Sequence, residues 1–216
     1  MNYKLIISIV PHNKGELITT AAKNSGAQGG TILMGMGTAA NGVLQLLGLG
    51  DTTKDVTYSL ISNDICTNVI NSIIEATKDE KKHFGVLFSL SINEFLKAGS
   101  KEKIADGEKD MESNNMYQLI NVVVNKGYAE DAMAAARKAG AGGGTIINAR
   151  GTAREDDAKF FGMEIVPEKE LLMILVPADK KETIVEAIKN VPCFSQAGSG
   201  IIFCHEAADF TLLGKK

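Results

Sequence analysis

The sequence has few cysteines, no long apolar run and no excess of basic residues, and each shortage excludes a class of protein. The cysteines number three, an odd count, and form no C-x-x-C pair, which argues against a disulfide framework and a structural zinc site. No apolar run approaches the roughly 18 residues of a membrane-spanning helix. The net charge of −3 offers no basic surface to nucleic acid or an anionic membrane. The N-terminal apolar run is too short for a signal peptide, so we expect a cytoplasmic protein.

The cysteines themselves, Cys66, Cys193 and Cys204, are best interpreted as buried and unreactive thiols. Cys204 and His205 could supply two metal ligands, but adjacent residues of a strand point to opposite faces of its sheet. We therefore expect no metal site.

One stretch of the chain occurs twice. Residues 26–39 read GAQGGTILMGMGTA and residues 140–153 read GAGGGTIINARGTA, so nine of fourteen positions are identical at an offset of 114. Unrelated segments would match at about one position in fourteen at ordinary residue frequencies. The repetition predicts a duplicated structural unit.

The first half of the chain alternates between strand and helix patterns. Apolar residues spaced by three and four predict a helix at 14–25, which Gly26 ends, and a second helix that Asp64 caps. The predicted order is strand–helix–strand–strand–helix–strand, which is that of a ferredoxin-like unit. Its strands are predicted at 4–10, which is a β-branched run, and at 31–36, 56–61 and 86–92.

The second half repeats this order after a charged segment at 98–115, which we interpret as a linker or at most a solvated helix. A helix is predicted at 130–139, and Asp179 can cap another. The predicted fold is therefore α+β, with two tandem ferredoxin-like (βαββαβ) domains at 1–97 and 116–216. Each is expected to be a four-stranded antiparallel sheet with two helices on one face. The strands of the second half are predicted at 119–124, 145–150, 170–176 and 200–205.

No motif in the sequence predicts catalysis. The G-x-G-x-x-A at 35–40 follows a strand, but it follows the second strand of its unit and its second copy is altered, which argues against a dinucleotide site. No Walker loop occurs. The three histidines have no matched positions in the two halves, and no serine or cysteine has an evident catalytic partner. A Gly-rich turn at 196–200 could wrap an anion or could simply be a flexible turn.

The combined motifs resemble the PII-like nitrogen regulatory protein family. They are the helix-Gly-Ala-x-Gly-Gly-Thr-Ile element, the following Gly-Thr-Ala, the segment 161–177 and the Gly-Ser-Gly-Ile-Ile-Phe at 198–203. The resemblance is strong over 116–206 and weaker over 3–92. It implies a non-catalytic regulator of nitrogen metabolism that senses a small anionic ligand, often an adenine nucleotide such as ATP or ADP, and acts on a target protein. In the family, nucleotide binds in clefts between units, and the long T-loop contacts targets.

The resemblance also implies which residues bind the ligand. The weaker counterparts in the first half are Thr31, Gly37 and Thr38. Two departures stand out: Ile201 replaces the lysine of phosphate binders, and Ala40 stands where the second half has Arg154, so the first domain is expected to be degenerate. The ligand-binding residues implied for the second half are Thr145, Gly151, Thr152, Arg154, Gly198, Ser199 and Gly200.

Two other functions stay open. Degenerate clefts would make the chain a structural or protein-interaction module, and a ferredoxin-like enzyme of the acylphosphatase type would need an arginine-bearing loop that 11–15 and 125–127 lack.

The family geometry implies a homo-oligomer built from trimeric rings of domains, pseudo-hexameric if three chains associate. We expect neither nucleic-acid binding nor membrane insertion.

Overall fold

The computed structural model describes residues 3–38, 53–92, 94–96, 103–105, 116–150, 159–160, 163–164, 168–194 and 199–215. The chain divides into two compact units. Unit 1 comprises residues 1–34, 53–117 and 206–216, and unit 2 comprises residues 35–52 and 118–205.

Unit 1 is a sheet with the strand order β4–β1–β3–β2, in which β1 pairs antiparallel with both β3 and β4. The last residues of the chain, Ala208 to Leu213, pair antiparallel with β4 on its other side. A small hairpin of β5 and β6 follows. The elements are β1 (Tyr3–Pro11), α1 (Gly15–Asn24), β2 (Thr31–Gly37), β3 (Thr53–Ser62), α2 (Asn63–Thr77), β4 (Gly85–Ile92), β5 (Glu94–Leu96) and β6 (Lys103–Ala105).

The core of unit 1 lies between the sheet and its two helices. Burying each large aliphatic side chain in such a cluster stabilises the fold by about 1.5–3 kcal/mol. Val69 and Ile73 of α2 are fully buried, whereas Ile70 and Ile74 are only partly buried. The most buried members are Ile6, Val10 and Leu87 of the strands and Ile18, Val69 and Ile73 of the helices.

Unit 2 has the corresponding strand order β12–β7–β11–β8. β8 pairs antiparallel with β11, and the last residues of β2, Gly35 to Gly37, pair antiparallel with β8 on its other side. Short 3₁₀ turns precede and follow α4. The elements are β7 (Tyr117–Asn125), α3 (Ala129–Lys138), β8 (Thr145–Arg150), β9 (Lys159–Phe160), β10 (Met163–Glu164), β11 (Glu168–Pro177), α4 (Lys181–Lys189) and β12 (Gly200–Leu213).

The core of unit 2 is formed in the same way. Ala132, Met133 and Ala136 of α3 are fully buried, as the helical spacing predicts. They pack with Ile184 and Ile188 of α4 and with the inward residues of β7 and β11. The small alanines let α3 lie close to its sheet.

The mixture of helices and strands is confirmed, but each unit's sheet has more than the four predicted strands. In unit 1 the fifth segment is Ala208–Leu213, because β12 continues past the predicted end at His205. In unit 2 it is the end of β2. Lys103–Ala105, inside the segment predicted as a linker, is a strand.

Both predicted helix caps are wrong by one or two residues. α2 begins directly after Ser62, so Asp64 lies in the first turn, where the Ser62 hydroxyl donates to its carboxylate. α4 begins after Lys180, so Asp179 lies in the preceding 3₁₀ turn. A carboxylate one turn inside a helix still favours its N-terminal dipole, so the composition near a helix start does not fix the capping residue.

The same backbone features recur at an offset of 114. Gly26 and Gly140 end α1 and α3 with φ angles of 103° and 99°. In both cases the next residue, Ala27 or Ala141, donates to the carbonyl five positions earlier at 3.0 Å. This is the Schellman arrangement, and its left-handed residue explains the glycine at each end.

A buried carboxylate holds the first helix of each unit at its N-terminus. In unit 1 the Asp55 carboxylate accepts from the Gly15 amide at 2.9 Å and lies 3.0 Å from His12 Nδ1. In unit 2 the Glu170 carboxylate accepts from the amides of Gly127 and Ala129, each at 3.0 Å. Both acids come from the third strand of their unit and satisfy amides that the helix itself leaves unpaired.

Candidate functional site

The first copy of the repeated turn lines a cavity of about 570 Å³ in unit 1. The turn runs from the end of α1 at Gly26 to the start of β2 at Thr31. Facing it are alternate residues of two neighbouring strands, Tyr3 and Leu5 on β1 and Tyr58 and Leu60 on β3. The cavity is large enough for a small metabolite, since ligand pockets measure about 300–1,000 Å³.

The described lining of this cavity carries no charged side chain. Burial raises the pKa of the Tyr58 phenol, so its hydroxyl stays neutral at physiological pH. The polar groups on offer are therefore hydroxyls, the Gln28 amide and the backbone. An anionic ligand would meet no compensating cation among these described residues.

The backbone of the turn supplies further donors. Gly26, Gly29 and Gly30 line the cavity with backbone atoms alone. A Cβ at Gly29 would meet nothing within 4 Å, whereas a Cβ at Gly30 would meet Thr19 Cγ2 at 2.8 Å and Ser59 Oγ at 2.9 Å. Gly30 is therefore required by packing, and Gly29 leaves open space beside the cavity.

The first copy of the turn lines a cavity, whereas the threonine that follows the second copy is covered by a neighbouring strand. Thr145 is 5% exposed, and a Cβ on Gly35 would lie 2.9 Å from its Cγ2. Gly37 pairs with Thr145 across β2 and β8. The structure thus brings together Gly37 and Thr145, two residues implied as ligand contacts, but it covers the threonine with a neighbouring strand.

Thr38, also implied as a ligand contact, is bonded to the second copy of the turn. Its amide donates to the Gly144 carbonyl at 2.9 Å, and its hydroxyl accepts from the Gly144 amide at 2.8 Å. Its carbonyl accepts from the Arg137 guanidinium. These bonds fix the end of β2 against unit 2's edge strand.

The Gly-rich turn before β12 lies apart from Thr145. β11 and β7 separate β8 from β12 in unit 2, a distance of about 14 Å at roughly 4.8 Å per strand. A Cβ at Gly200 would meet the Val123 carbonyl oxygen at 2.9 Å, so close strand packing requires this glycine. Ser199 precedes it, while Gly151, Thr152, Arg154 and Gly198 lie outside the described residues.

The described residues contain no group of three or more His, Cys, Asp or Glu that could hold a metal ion. The three cysteines form no disulfide, and only Cys66 is buried. Cys204 is exposed, which contradicts the prediction of buried thiols, because the outer face of β12 is open at this point. Partial burial nevertheless raises the pKa of its thiol, so little thiolate forms at neutral pH. Within the described part of the chain, no helix is long and apolar enough to cross a bilayer.

Comparison with known proteins shows what the second half is similar to. Residues 117–213 match the family model of the nitrogen regulatory protein P-II. This P-II-like region runs from β7 to the end of β12, so the resemblance inferred from 116–206 is confirmed and extends further. The match does not include residues 3–92, where the resemblance stays a prediction.

Two solved structures are similar to the chain at low identity. The Bacillus subtilis GlnK–ATP complex is 21% identical over 42% of this chain and 81% of its own, with a TM-score of 0.34. Arabidopsis thaliana PII bound to citrate is 20% identical over 43% of this chain and 76% of its own, with a TM-score of 0.33. No curated protein matches the chain.

Sequence reasoning missed the strand residues that face the open turn. Tyr3, Leu5, Tyr58 and Leu60 fit the alternation of a strand, but alternation alone does not say which face stays open. It also missed Asp55 and Glu170. Their signal was a carboxylate directly before the apolar or β-branched part of a strand, where a carboxylate is rarely buried without a partner.

Proposed function

We propose that the chain is a non-catalytic regulatory protein of the P-II type, which binds a small anionic ligand and acts on a partner protein in the cytoplasm. The observation that carries the proposal is the P-II family match at residues 117–213. The ligand that this family relationship favours is an adenine nucleotide, ATP or ADP.

The anionic ligand is assigned to the P-II-like half because the cations lie there. Residues 140–167 contain Arg150, Arg154 and Lys159 beside four acids, whereas the matching residues 26–53 contain no lysine or arginine. Phosphate recognition depends on such charge-assisted hydrogen bonds. The proposed contacts are Arg154, the Gly151–Thr152 pair and the Gly198–Gly200 turn. Because Thr145 is buried, its proposed part is to fix β8 within the sheet.

We also propose that the two halves are a tandem duplication of one ferredoxin-like domain, residues 1–97 and 116–216, joined by 98–115. The support is that both units have the strand order fourth–first–third–second and repeat the Schellman turn and the buried capping acid. A further pair supports it: Gly85 and Gly200 begin the fourth strands, and each closely approaches the first strand of its unit. Agreement in strand order and at four pairs of positions is expected of copies and not of unrelated sheets.

Calorimetric titration of ATP, ADP and AMP tests the ligand. We expect saturable binding of at least one nucleotide, weakened by about tenfold or more in Arg154→Ala, because a charge-assisted bond contributes roughly 1.5–3 kcal/mol. Lys126→Ala is the matched control, since this exposed lysine pairs only with Glu168 among the described residues. Absence of heat at millimolar nucleotide would contradict nucleotide sensing and favour an interaction module without a ligand.

The proposed assembly is a ring of three domains, or a pseudo-hexamer of three chains. Each chain brings two domains, so three chains supply the six that two rings require. Light scattering on the purified chain measures this directly. A mass of three chains is expected, and a monomer at micromolar concentration would contradict the ring.

A further inference from the structure

A second cavity, of about 290 Å³, lies in unit 2 beside α3. Its apolar wall is formed by Met36 at the end of β2, Met133 of α3 and Ile146 of β8. Its charged residues are Glu130, Asp131 and Arg137, all on α3. The volume is at the small end of ligand pockets and favours a metabolite smaller than a nucleotide.

The Arg137 side chain is only partly satisfied within the protein. One terminal nitrogen of its guanidinium donates to the Thr38 carbonyl. Its Nε is buried and, among the described residues, has no hydrogen-bond partner. Buried donors are almost always paired, so Arg137, which lines the cavity, is a cation that the described residues satisfy only in part.

The Arg137 guanidinium forms no ion pair with the described carboxylates of the cavity. No described carboxylate lies within 4.0 Å of Arg137, although Glu130 and Asp131 line the same space. A ligand with only a negative charge would be repelled by the two acids, and one with only a positive charge would be repelled by the arginine. A zwitterion with an apolar body satisfies both and also covers the methionine and isoleucine wall.

We propose that this cavity binds a free α-amino acid with an apolar side chain. Its carboxylate accepts hydrogen bonds from Arg137, its ammonium group donates to Asp131 or Glu130, and its side chain packs on Met133, Ile146 and Met36. The equivalent positions on α1, at the offset of 114, are Lys23, Leu17 and Glu16, so one of the two acids is absent there. The site therefore belongs to the second half alone.

Calorimetry of the full chain with leucine, methionine and phenylalanine tests this site. At least one amino acid is expected to bind saturably with one site per chain. 4-Methylpentanoate, which lacks the ammonium group, and 3-methylbutylamine, which lacks the carboxylate, are each expected to bind at least about tenfold more weakly than leucine. The proposal is overturned if none of the three amino acids binds saturably at concentrations up to roughly 10 mM. It is also overturned if either analogue binds as tightly as leucine.

Two variants locate the binding. Arg137→Met and Asp131→Asn are each expected to weaken it by about tenfold or more, whereas Lys23→Met, the matched change on α1, leaves it unaltered. Asp131→Asn changes an exposed side chain, so it remains informative if Arg137→Met disturbs the Thr38 contact. Wild-type affinity in either variant overturns the assignment. Amino-acid binding that persists in Arg154→Ala distinguishes this site from the proposed nucleotide site.

Discussion

Removal of the Glu170 carboxylate tests how the second half holds its first helix. Glu170 is 9% exposed, and its Oε2 accepts from the amides of Gly127 and Ala129 at 3.0 Å each. Each hydrogen bond to a charged group contributes about 1.5–3 kcal/mol. In Glu170→Ala the Ala129 amide stays buried without this acceptor, while water can reach the exposed Gly127. The expected loss of unfolding free energy is therefore about 2–4 kcal/mol.

Urea denaturation followed by circular dichroism measures this loss. For a chain of this length, 1 kcal/mol corresponds to roughly 2–4 °C in Tm, so Glu170→Ala should melt about 4–16 °C lower. Glu170→Gln keeps an oxygen acceptor and loses the charge, so it should lose roughly half as much. Asp55→Ala should behave similarly in unit 1, since its carboxylate accepts from the Gly15 amide.

Glu168→Ala is the control for this series. It lies two residues earlier on the same strand, is exposed and pairs with Lys126, so it should change the unfolding free energy by less than about 1 kcal/mol. If Glu170→Ala were no more destabilising than this control, the carboxylate would not stabilise the N-terminus of α3. The similarity between Glu170 and Asp55 would then be one of position and not of stabilising effect.

Two further predictions concern backbone packing and pH. Gly144→Ala should lower the free energy of unfolding, measured by urea denaturation, by about 1–3 kcal/mol, because the added Cβ would lie 2.9 Å from the Met173 carbonyl oxygen. Gly142→Ala, where the Cβ would meet nothing within 4 Å, should change it by less than about 0.5 kcal/mol. Equal effects of the two substitutions would contradict this. Burial acts to raise the pKa of Asp209, but hydrogen bonds from Ser89 and Lys4 and the Lys4 charge outweigh it, so the pKa lies below its usual value. Its stabilisation is complete above the unfolded pKa of about 3.9 and is lost as pH falls through the lower folded value. Asp209→Asn should therefore be less stable than wild type at pH 7 and approach it below about pH 4; a difference that is unchanged at low pH would refute this linkage.

Local patterns predicted most of the secondary structure. The apolar spacing on α1, α3 and α4 and the β-branched runs of β1 and β11 have few alternatives, so their positions agree with the sequence to within a few residues. Gly26 was identified as a helix end for the right reason, a left-handed conformation, and Gly140 has the same conformation. These features depend on neighbours in sequence, which is why a single chain reveals them.

Features set by distant contacts were not predictable in this way. β12 continues to Leu213 because β4 offers it a pairing edge, and no local signal marks where such pairing ends. Thr145 is buried because the end of β2 lies on it, although its sequence context equals that of the exposed Thr31. Asp55 and Glu170 lie some 40 residues from the amides they bind, so no spacing rule connects them.

The proposal that only the second half binds a nucleotide can be tested by counting binding sites. Calorimetric titration of ATP and ADP into the full chain tests it most directly through the number of sites. One nucleotide site per chain is expected, and Arg154→Ala should weaken binding there by about tenfold or more. Two equivalent sites per chain, or no binding at millimolar nucleotide, would contradict it.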